Sequence, residues 1–367
     1  MSNVYFTNMR AQLGDSLLEK LRRLVIAAGI KDIDFTHKYV AIKLHFGEPG
    51  NLAFLRPNYA KVIADLVKEC GGRPFLTDCN TLYVGRRKNA LDHIDSAYEN
   101  GYTPFSTGCH IIIADGIKGL DEVAVPVPNG ELCKEARIGR AVMDADIVIS
   151  LSHFKGHEEA GFGGALKNVG MGCGSRTGKM DMHSNGKVKV SKSRCIACGA
   201  CARVCAHDAP QVTDTTCVID REKCVGCGRC LANCPVDAIY AAESSANTHL
   251  SKKIAEYSAA VLMGRPHFHI SLVIDVSPYC DCHGDNDAPI VPDIGMFASF
   301  DPVALDMACA DAVNAQAPIE NSLLGEAKHV HNDHFKNIFP VVDWRAGLSH
   351  AEKLGLGTQD YTIVTVK

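Results

Sequence analysis

One cysteine pattern, C-x2-C-x2-C-x3-C, occurs twice in this chain, as Cys195-Ile-Ala-Cys198-Gly-Ala-Cys201-Ala-Arg-Val-Cys205 and as Cys224-Val-Gly-Cys227-Gly-Arg-Cys230-Leu-Ala-Asn-Cys234. In this pattern a short loop places three thiolates around one iron-sulfur cubane and sends the fourth thiolate to a neighbouring cubane. The duplication therefore predicts two 4Fe-4S clusters as cofactors, held by eight cysteines of one short segment.

The spacing also assigns the ligands. The fourth cysteine of each run lies on the next turn of backbone, so it cannot join the cubane held by the three closely spaced cysteines before it and binds the neighbouring cubane instead. The first cluster takes Cys195, Cys198, Cys201 and Cys234, and the second takes Cys224, Cys227, Cys230 and Cys205. Two zinc sites, which C-x2-C pairs alone would allow, and a disulfide framework are the alternatives. Glycines beside the cysteines leave room for a bulky cofactor, which favours iron and sulfide.

Length and composition bound the rest of the molecule. A chain of 367 residues is too long for a ferredoxin-sized unit and suits two or more domains. Its net charge of -4 and apolar fraction of 46% give no reason to expect a nucleic-acid partner. The apolar runs are too short to span a bilayer, and the start has no cationic segment leading into an apolar one, so we expect neither a membrane partner nor export. Seventeen cysteines predict a reducing, cytoplasmic location.

The sequence on both sides of the cysteine runs alternates short β-rich runs with amphipathic stretches. The predicted strands are Tyr39–Leu44, Pro74–Thr77, Cys109–Ile113, Asp146–Leu151 and Phe268–Ile274. The predicted helices are Asn58–Cys70, Gly85–Asn100, Lys134–Met143, Asn247–Met263 and Pro302–Ala315. This order predicts an α/β fold with a mainly parallel sheet, helices on both faces and a ligand at the carboxyl ends of the strands.

The cysteine-rich segment interrupts this alternation, so we interpret it as a small α+β insert in one α/β body. The predicted organisation is a first part of the body at 1–186, the insert at 187–242 and a second part of the body at 243–367. Glycine-rich sequence at 161–186 and the stretch 241–246 are the predicted hinges.

Polar side chains follow the first predicted strands. Lys43 and His45 lie on one face, because side chains of a strand alternate with a period of two. Asp78 follows the next strand, and Arg86 opens the predicted helix beyond it, where free backbone N–H groups favour anions. Together these side chains predict a site for a phosphate or a carboxylate. The alternative is a solvated helix start with a capping Asp or Asn.

A glycine-rich segment follows the fourth predicted strand. His153 and His157 have the i, i+4 spacing that binds metal on a helix, but Gly156 favours a loop. Lys167 and Asn168 supply a cation and an amide, and the glycines would let the backbone approach a ligand or the insert closely. The alternative is a flexible glycine hinge with incidental histidines.

Cys280, Cys282 and His283 form a third group, directly after the last predicted strand. Cysteines at i and i+2 beside a histidine suit redox or acid–base chemistry, or could share an additional metal ion. Such an ion would need ligands from other loops, for example Cys173 or His183. A purely structural role for the loop stays open.

Residues 187–242 resemble a bacterial dicluster ferredoxin. Besides the cysteine runs, Lys187–Val190 and Cys217–Asp220 look like the paired short strands of that fold. The proline that usually follows the last cysteine of a run is kept as Pro235 and replaced by Ala206 in the first run. This replacement loosens the local backbone and removes no ligand.

The flanking sequence resembles the domain-of-unknown-function family 362, over about residues 1–180 and 245–325. The motifs that carry this resemblance are Ile42–Gly47, Thr77–Asp78 with Tyr83–Arg87, His153–His157, Ala165–Asn168, Cys280–His283 and Asp301–Asp306. Cluster-bearing members of that family carry a dicluster ferredoxin segment in this position. The resemblance therefore implies the architecture and the site residues, and it implies no particular reaction.

The sequence as a whole predicts an iron-sulfur redox protein whose insert exchanges single electrons with a ligand in the α/β cleft. The predicted substrate-binding residues are Lys43, Asp78, Arg86, Lys167 and Asn168. The residues predicted to handle protons or a metal are His45, His153, His157, Cys280 and His283. The predicted partner is a redox protein or a small anionic substrate. Two alternatives stay open: an electron carrier or subunit of a larger complex, and a non-redox ligand-binding or metal-dependent enzyme with structural clusters.

Overall fold

The computed structural model describes residues 1–82, 85–184, 188–205, 207–224, 229–236, 238–241 and 247–367. Within these residues the chain forms one eight-stranded sheet, four two-stranded sheets and helices on both faces of the large sheet.

The strands of the described residues, in chain order, are β1 (Ser2–Asn8), β2 (Tyr39–Lys43), β3 (Arg73–Asp78), β4 (His110–Ile113), β5 (Glu122–Pro126), β6 (Glu135–Gly139), β7 (Ile147–His153), β8 (Lys155–His157), β9 (Gly161–Gly163), β10 (Val188–Val190), β11 (Pro210–Val212), β12 (Cys217–Ile219), β13 (Ile239–Ala241), β14 (His267–Val273), β15 (Gly295–Ser299) and β16 (Tyr361–Thr365).

The helices of the same residues are α1 (Leu17–Ala27), α2 (Pro57–Glu69), α3 (Ala90–Glu99), α4 (Pro104–Thr107), α5 (Arg140–Asp144), α6 (Ala165–Cys173), α7 (Arg176–Ser184), α8 (Ala200–Arg203), α9 (Arg229–Ala232), α10 (Asn247–Leu262), α11 (Pro302–Asn314), α12 (Leu323–Glu326), α13 (His334–Ile338) and α14 (Arg345–Lys353), with a 3-10 turn at Ile30–Asp32. Among these described helices, none combines the length and the apolar character that crossing a bilayer requires.

The large sheet has the strand order β16-β1-β15-β14-β7-β2-β3-β4. The run from β14 to β4 is parallel throughout, and β1 is parallel to β16. Only β15 runs antiparallel to its two neighbours. The predicted α/β fold with a mainly parallel sheet is thereby confirmed.

Both faces of the sheet are covered, as the apolar strands require. On β7 the side chains of Ile147, Ile149 and Leu151 pack with residues of α1, α2 and α3, whereas Val148 packs with residues of α6, α10, α11 and α14. The strands at the middle of the sheet are therefore buried on both sides, and their carboxyl ends meet at one edge.

The helix predicted at Lys134–Met143 is wrong over most of its length. Strand β6 occupies this segment and pairs antiparallel with β5, and helix α5 begins only at Arg140. Ala136 and Ile138 are buried while Arg137 between them is partly exposed. This period of two is the signature of a half-buried strand.

The glycine-rich segment is a hairpin and a helix, so the predicted loop is wrong. Strands β8 and β9 form the hairpin, and α6 follows it directly. The glycines of α6 allow close approach: a methyl group at Gly172 would lie 2.5 Å from Nζ of Lys43, and one at Gly170 would clash with the carbonyl oxygen of Ile254. Tertiary packing therefore overrides the low helix propensity of glycine.

The described residues of the insert form two small sheets and two short helices. Strand β10 pairs with β13, and β12 pairs with β11, so the two strands predicted to pair do not pair with each other. The pairing of β10 with β13 places residues 188–190 beside residues 239–241. The predicted boundaries at 186/187 and 242/243, together with Ala206 and Cys227, lie outside the described residues.

Candidate functional site

A cavity of about 170 Å³ lies at the carboxyl ends of β2, β3, β7 and β14. Helices α6 and α7 and the loop after β14 complete its walls. Its cationic side chains are Lys43, Arg87, Lys155, Lys167 and Lys179, and its acidic ones are Glu48, Asp78, Glu158 and Glu159. Nine of the ten predicted cleft residues line it, namely Lys43, His45, Asp78, His153, His157, Lys167, Asn168, Cys280 and His283. The cavity lies where ligands bind in open parallel sheets.

The ammonium group of Lys43 is fully engaged by protein. Its Nζ lies 3.0 Å from Oδ1 of Asp78, and it donates to Oδ1 of Asn168 at 2.9 Å and to the carbonyl oxygen of Leu44 at 3.2 Å. Burial disfavours the ionised form of Asp78, but the charge of Lys43 together with smaller contributions from neighbouring side chains outweighs it and holds the pKa of that carboxyl well below its usual range. Since an ammonium group has three donors, Lys43 links β2, β3 and α6 and can act on a ligand only through its charge.

The structure places Arg87, and not Arg86, in the cavity. The side chain of Arg86 is exposed, pairs with Glu99 at 2.5 Å and is absent from the lining. Arg87 is 1% exposed, and its Nε donates to Oε2 of Glu48 at 2.7 Å. Among the residues that the structure describes, Nη2 of Arg87 has no hydrogen-bond partner. Helix α3 begins at Ala90, later than predicted, so Arg86 does not lie at its start, where the free N–H groups are.

A buried carboxylate, Asp281, anchors the loop after β14. It contacts Nδ1 of His153 at 2.9 Å and Nζ of Lys155 at 3.1 Å. Nε2 of His153 lies 2.8 Å from the carbonyl oxygen of Ile274, so both ring nitrogens face acceptors, and a ring that donates from both is an imidazolium. Burial opposes ionisation of Asp281, but the charges of His153 and Lys155 outweigh it and hold the pKa of Asp281 well below its usual range. The carboxylate of Asp281 thus holds the side chains of His153 and Lys155 in place.

Hydrogen-bond donors surround the sulfur of Cys280. Nζ of Lys167 donates to it at 3.6 Å, and the backbone N–H of Cys282 does so at 3.4 Å. A hydrogen bond from the thiol of Cys282 is the largest effect that lowers the pKa of Cys280 well below its ordinary value, and Lys167 and His157 add to it against burial. The same bond, with burial, raises the pKa of Cys282 well above its ordinary value. These effects favour ionisation of Cys280 over ionisation of Cys282.

Two carboxylate–histidine pairs lie in the cavity wall. Oε1 of Glu158 is 2.8 Å from Nε2 of His283, and Oε2 of Glu159 is 3.3 Å from Nδ1 of His183. Burial opposes ionisation of Glu158, but its bond to His283, with a smaller contribution from His157, lowers its pKa to about 2. The same bond to Glu158 raises the pKa of His283. A half-exposed histidine of this kind is suited to deliver protons near neutral pH.

The ring of His45 is neutral and has one defined tautomer. Nδ1 accepts a hydrogen bond from the backbone N–H of Gly47 at 3.0 Å, so the ring proton is on Nε2. Burial, together with the nearby charge of Arg87, lowers the pKa of His45 well below its usual value. His45 therefore offers a neutral N–H donor and no charge.

Five cysteines line a second, smaller cavity of about 20 Å³ in the insert, and four of them belong to the two cysteine runs, namely Cys195, Cys198, Cys201 and Cys234. Cys234 belongs to the second cysteine run, and the fold brings it to the loop of the first run. The backbone N–H of Ala238 donates to Sγ of Cys234 at 3.2 Å. Cys217 also lines this cavity, with its sulfur 3.5 Å from that of Cys201. The four cysteines are the ligand set that the spacing assigns to the first cluster.

Three of the four cysteines assigned to the second cluster are described, Cys205, Cys224 and Cys230. The sixteen described cysteines are all free of disulfides. No group of three or more His, Cys, Asp or Glu side chains within the described ranges could hold a metal ion, at the cleft or in the insert. A cubane differs from such an ion because each of its cysteines binds a separate iron atom. The additional metal ion considered for Cys280 and its neighbours stays an untested hypothesis.

The insert shares a wall with the large cavity. Leu82 lines that cavity and also packs in one apolar cluster with Cys201 and Cys217. Met180 belongs to the same cluster and lies on α7 next to Lys179, which lines the cavity. One layer of side chains therefore separates the cysteine-rich segment from the cavity.

Seven charged residues of this site were not predicted from the sequence, namely Glu48, Arg87, Lys155, Glu158, Glu159, Lys179 and Asp281. The signal for Lys155 was present, because His153, Lys155 and His157 alternate along one extended segment and all line the cavity. The contacts of Asp281 and Glu48 join loops that are far apart in sequence, so no local pattern could reveal them.

Part of the chain is similar to the thylakoid-associated protein sll1697 of Synechocystis sp., with 29% identity over 125 residues. The matched segment is 34% of this chain and 35% of that protein, so the chain aligns with about a third of the relative's length. Two solved structures are more distantly similar. The lactate racemase apoprotein from Thermoanaerobacterium thermosaccharolyticum shares 12% identity at a TM-score of 0.34, over 70% of this chain and 45% of its own. A protein from Thermotoga maritima shares 13% at a TM-score of 0.36, over 70% of this chain and 49% of its own.

The family described as Domain of unknown function (DUF362) matches residues 40–311. This range is well over half of the chain, and it includes the insert and the strands β2, β3, β7 and β14, whose ends form the cavity. The chain therefore belongs to the DUF362 family.

Proposed function

We propose that this protein is an iron-sulfur redox protein, which binds two 4Fe-4S clusters in its insert and exchanges electrons with an anionic ligand in the large cavity. The observation that carries the proposal is the small cavity lined by Cys195, Cys198, Cys201 and Cys234. Cys234 is distant in sequence from the other three, and a dicluster ferredoxin requires this crossed arrangement. When bound, such clusters supply single electrons at potentials of about -700 to +450 mV.

The described part of the insert fits this cofactor. The lining of the small cavity between the cysteines is mostly apolar, and the N–H of Ala238 already donates to the sulfur of Cys234. Hydrogen bonds to sulfur and an apolar shell are the features by which proteins set cluster potentials. In this proposal Cys205, Cys224, Cys227 and Cys230 hold the second cluster.

The charges in the large cavity favour an anionic ligand. The carboxylates Asp78 and Glu48 are paired with Lys43 and Arg87. In contrast, Nζ of Lys179 donates to the carbonyl oxygen of Gly174 at 2.5 Å, which is a neutral acceptor. A ligand that gains electrons also gains protons, and His283 is positioned to donate them.

Potentiometric titration followed by electron paramagnetic resonance tests this proposal. Anaerobically reconstituted protein is expected to show two reversible one-electron steps within the range of about -700 to +450 mV. Clusters that are present but take up no electron in this range would contradict the redox role. That result would favour the alternative in which the clusters only stabilise the insert.

A second candidate function is an electron carrier or a subunit of a larger complex, and one observation favours it. Residues 188–205 contain Lys189, Lys192, Arg194 and Arg203 and no acidic residue, in a chain of net charge -4. Lys192, Arg194 and Arg203 are exposed, and Ile196 between them is 61% exposed. A cationic surface with an exposed apolar centre, beside the first cysteine loop, suits docking of an acidic electron-transfer protein.

Charge reversal tests this docking surface. The double variant Lys192→Glu/Arg194→Glu is expected to slow reduction of the protein by a small acidic ferredoxin about tenfold or more at low salt, because steering charges raise association rates by that order. The control Lys31→Glu/Lys328→Glu makes the same charge change at two exposed lysines of the body. Equal rates in the two double variants would exclude specific docking on residues 188–205.

A further inference from the structure

The cavity contains a thiolate with two proton donors beside it. Nζ of Lys167 lies 3.6 Å from the sulfur of Cys280. Nδ1 of His157 accepts from the backbone N–H groups of Glu159 and Ala160, both at 3.1 Å, so the ring proton of His157 is on Nε2. His157 thereby donates to the sulfur of Cys280. A thiolate flanked by donors has the arrangement of an activated nucleophile.

Arg87 supplies a complementary group in the same cavity. Its Nε donates a hydrogen bond to Oε2 of Glu48 at 2.7 Å. Its Nη1 lies 3.8 Å from Oδ2 of Asp78, which is beyond hydrogen-bond distance. Nη2 is buried without a hydrogen-bond partner in the part of the chain that the structure describes. The Nη edge of a guanidinium fits the two oxygens of a carboxylate.

The volume of the cavity limits the size of the ligand. Its volume of about 170 Å³ lies below the roughly 300–1,000 Å³ typical of sites for drug-sized ligands. A small acid fits this volume. The ligand therefore has room for a carboxylate at Arg87 and a short reactive group at Cys280.

We infer that the cavity binds a small 2-oxo acid, whose carboxylate is held by Arg87 and whose carbonyl carbon is attacked by the sulfur of Cys280. This inference rests on the proposed binding of an anionic ligand in the cavity and names the class of that ligand. A carbonyl is the suitable electrophile, because its oxygen gains charge next to Lys167 and His157.

The step balances without a further reactant. The thiolate of Cys280 forms a carbon–sulfur bond, and the π electrons of the carbonyl move to its oxygen. That oxygen takes a proton from Nζ of Lys167, which becomes a neutral amine, while Nε2–H of His157 can donate a hydrogen bond to it. The product is a thiohemiketal whose carboxylate stays ionised. No electron is transferred in this step, so it is separate from the redox chemistry of the insert.

Alkylation with two matched reagents tests the roles of Arg87 and Cys280. Iodoacetate and iodoacetamide deliver the same carbon to sulfur and differ in carrying a carboxylate or an amide. With anaerobic, cluster-loaded protein and peptide mass mapping, we expect iodoacetate to label Cys280 faster than iodoacetamide. In Arg87→Gln the ratio of the two rates should fall about tenfold or more, as expected for loss of a charge-assisted hydrogen bond.

The controls for this experiment are in the same chain. Arg86→Gln removes a neighbouring exposed charge and should keep the wild-type ratio. An unchanged iodoacetamide rate in Arg87→Gln shows that the cavity has kept its fold. If that rate also drops, Arg87→Lys is compared instead, since it keeps the charge beside Glu48 and loses the second Nη donor. A wild-type ratio in the Arg87 variant, or no labelling of Cys280 by either reagent, would overturn the inference.

The covalent step has its own readout. With [2-13C]pyruvate as the probe, the wild-type protein should show a protein-bound tetrahedral carbon resonance, distinct from that of free pyruvate hydrate, that is absent in Cys280→Ser. A ketone resonance alone in the wild type would overturn the nucleophilic role of Cys280. Neither experiment depends on cluster potentials, so failure here is distinguishable from failure of the redox proposal.

Discussion

Protein in which Cys234 is replaced by alanine is expected to retain about half of its iron, about four atoms per chain instead of about eight. Cys234 lies in the second cysteine run, but the structure brings it to the cavity lined by Cys195, Cys198 and Cys201. Its loss should therefore remove the cluster held by the first run and leave the cluster of its own run. Iron and acid-labile sulfide analysis of anaerobically reconstituted protein measures this effect.

Cys217 provides the matched control for this variant. Its sulfur lines the same small cavity and lies 3.5 Å from that of Cys201, but it belongs to neither cysteine run. Cys217→Ala should keep the full iron content, whereas Cys205→Ala should lose about half through the other cluster. Full iron in Cys234→Ala together with loss in Cys217→Ala would show that the ligand assignment is wrong.

We expect a second large effect, on the stability of the α/β body, when Asp281 is replaced. Asp281→Asn is expected to lower the free energy of unfolding by about 3–5 kcal/mol, because it leaves buried cations without their counter-charge. Asp281 is fully buried and contacts both His153 and Lys155. Urea denaturation at neutral pH measures the change.

Acidification should reduce the difference in the free energy of unfolding between the wild type and Asp281→Asn. The pKa of Asp281 is depressed in the folded protein, so its stabilising effect is present above the unfolded value of about 3.9 and is lost as the pH falls below it. The stability difference between Asp281→Asn and wild type should therefore narrow below about pH 4. Asp285→Asn, an exposed aspartate in the same loop, should match the wild type throughout. Equal destabilisation by the two variants would show that the buried charge has no special role.

Local patterns predicted the middle of the sheet well. Each of the five predicted flanking strands is present to within two residues of its expected ends. Four of them, β2, β3, β7 and β14, are largely buried, so their apolar runs are continuous and easy to recognise, whereas β4 is a largely exposed strand at the edge of the sheet. Strands β1 and β16 were not predicted, since they pair the start of the chain with its end at the edge of the sheet. Pairing over that distance has no local signature.

The site was most directly predictable where a side chain stands at the end of its strand. Lys43, His45, Asp78 and His153 stand at strand ends and line the cavity. The choice between Arg86 and its neighbour Arg87 depends on how the turn after β3 is folded, which the sequence does not reveal. Helix α6 escaped prediction because glycine lowers helix propensity, and the close contacts that require glycine exist only in the folded protein.

The most direct test of the central claim is the iron and acid-labile sulfide content of the wild-type protein, purified and reconstituted without oxygen. Two clusters predict about eight iron and eight sulfide per chain, with the brown colour of iron-sulfur proteins. A colourless protein that binds zinc, or that holds far less iron even after reconstitution, would contradict it.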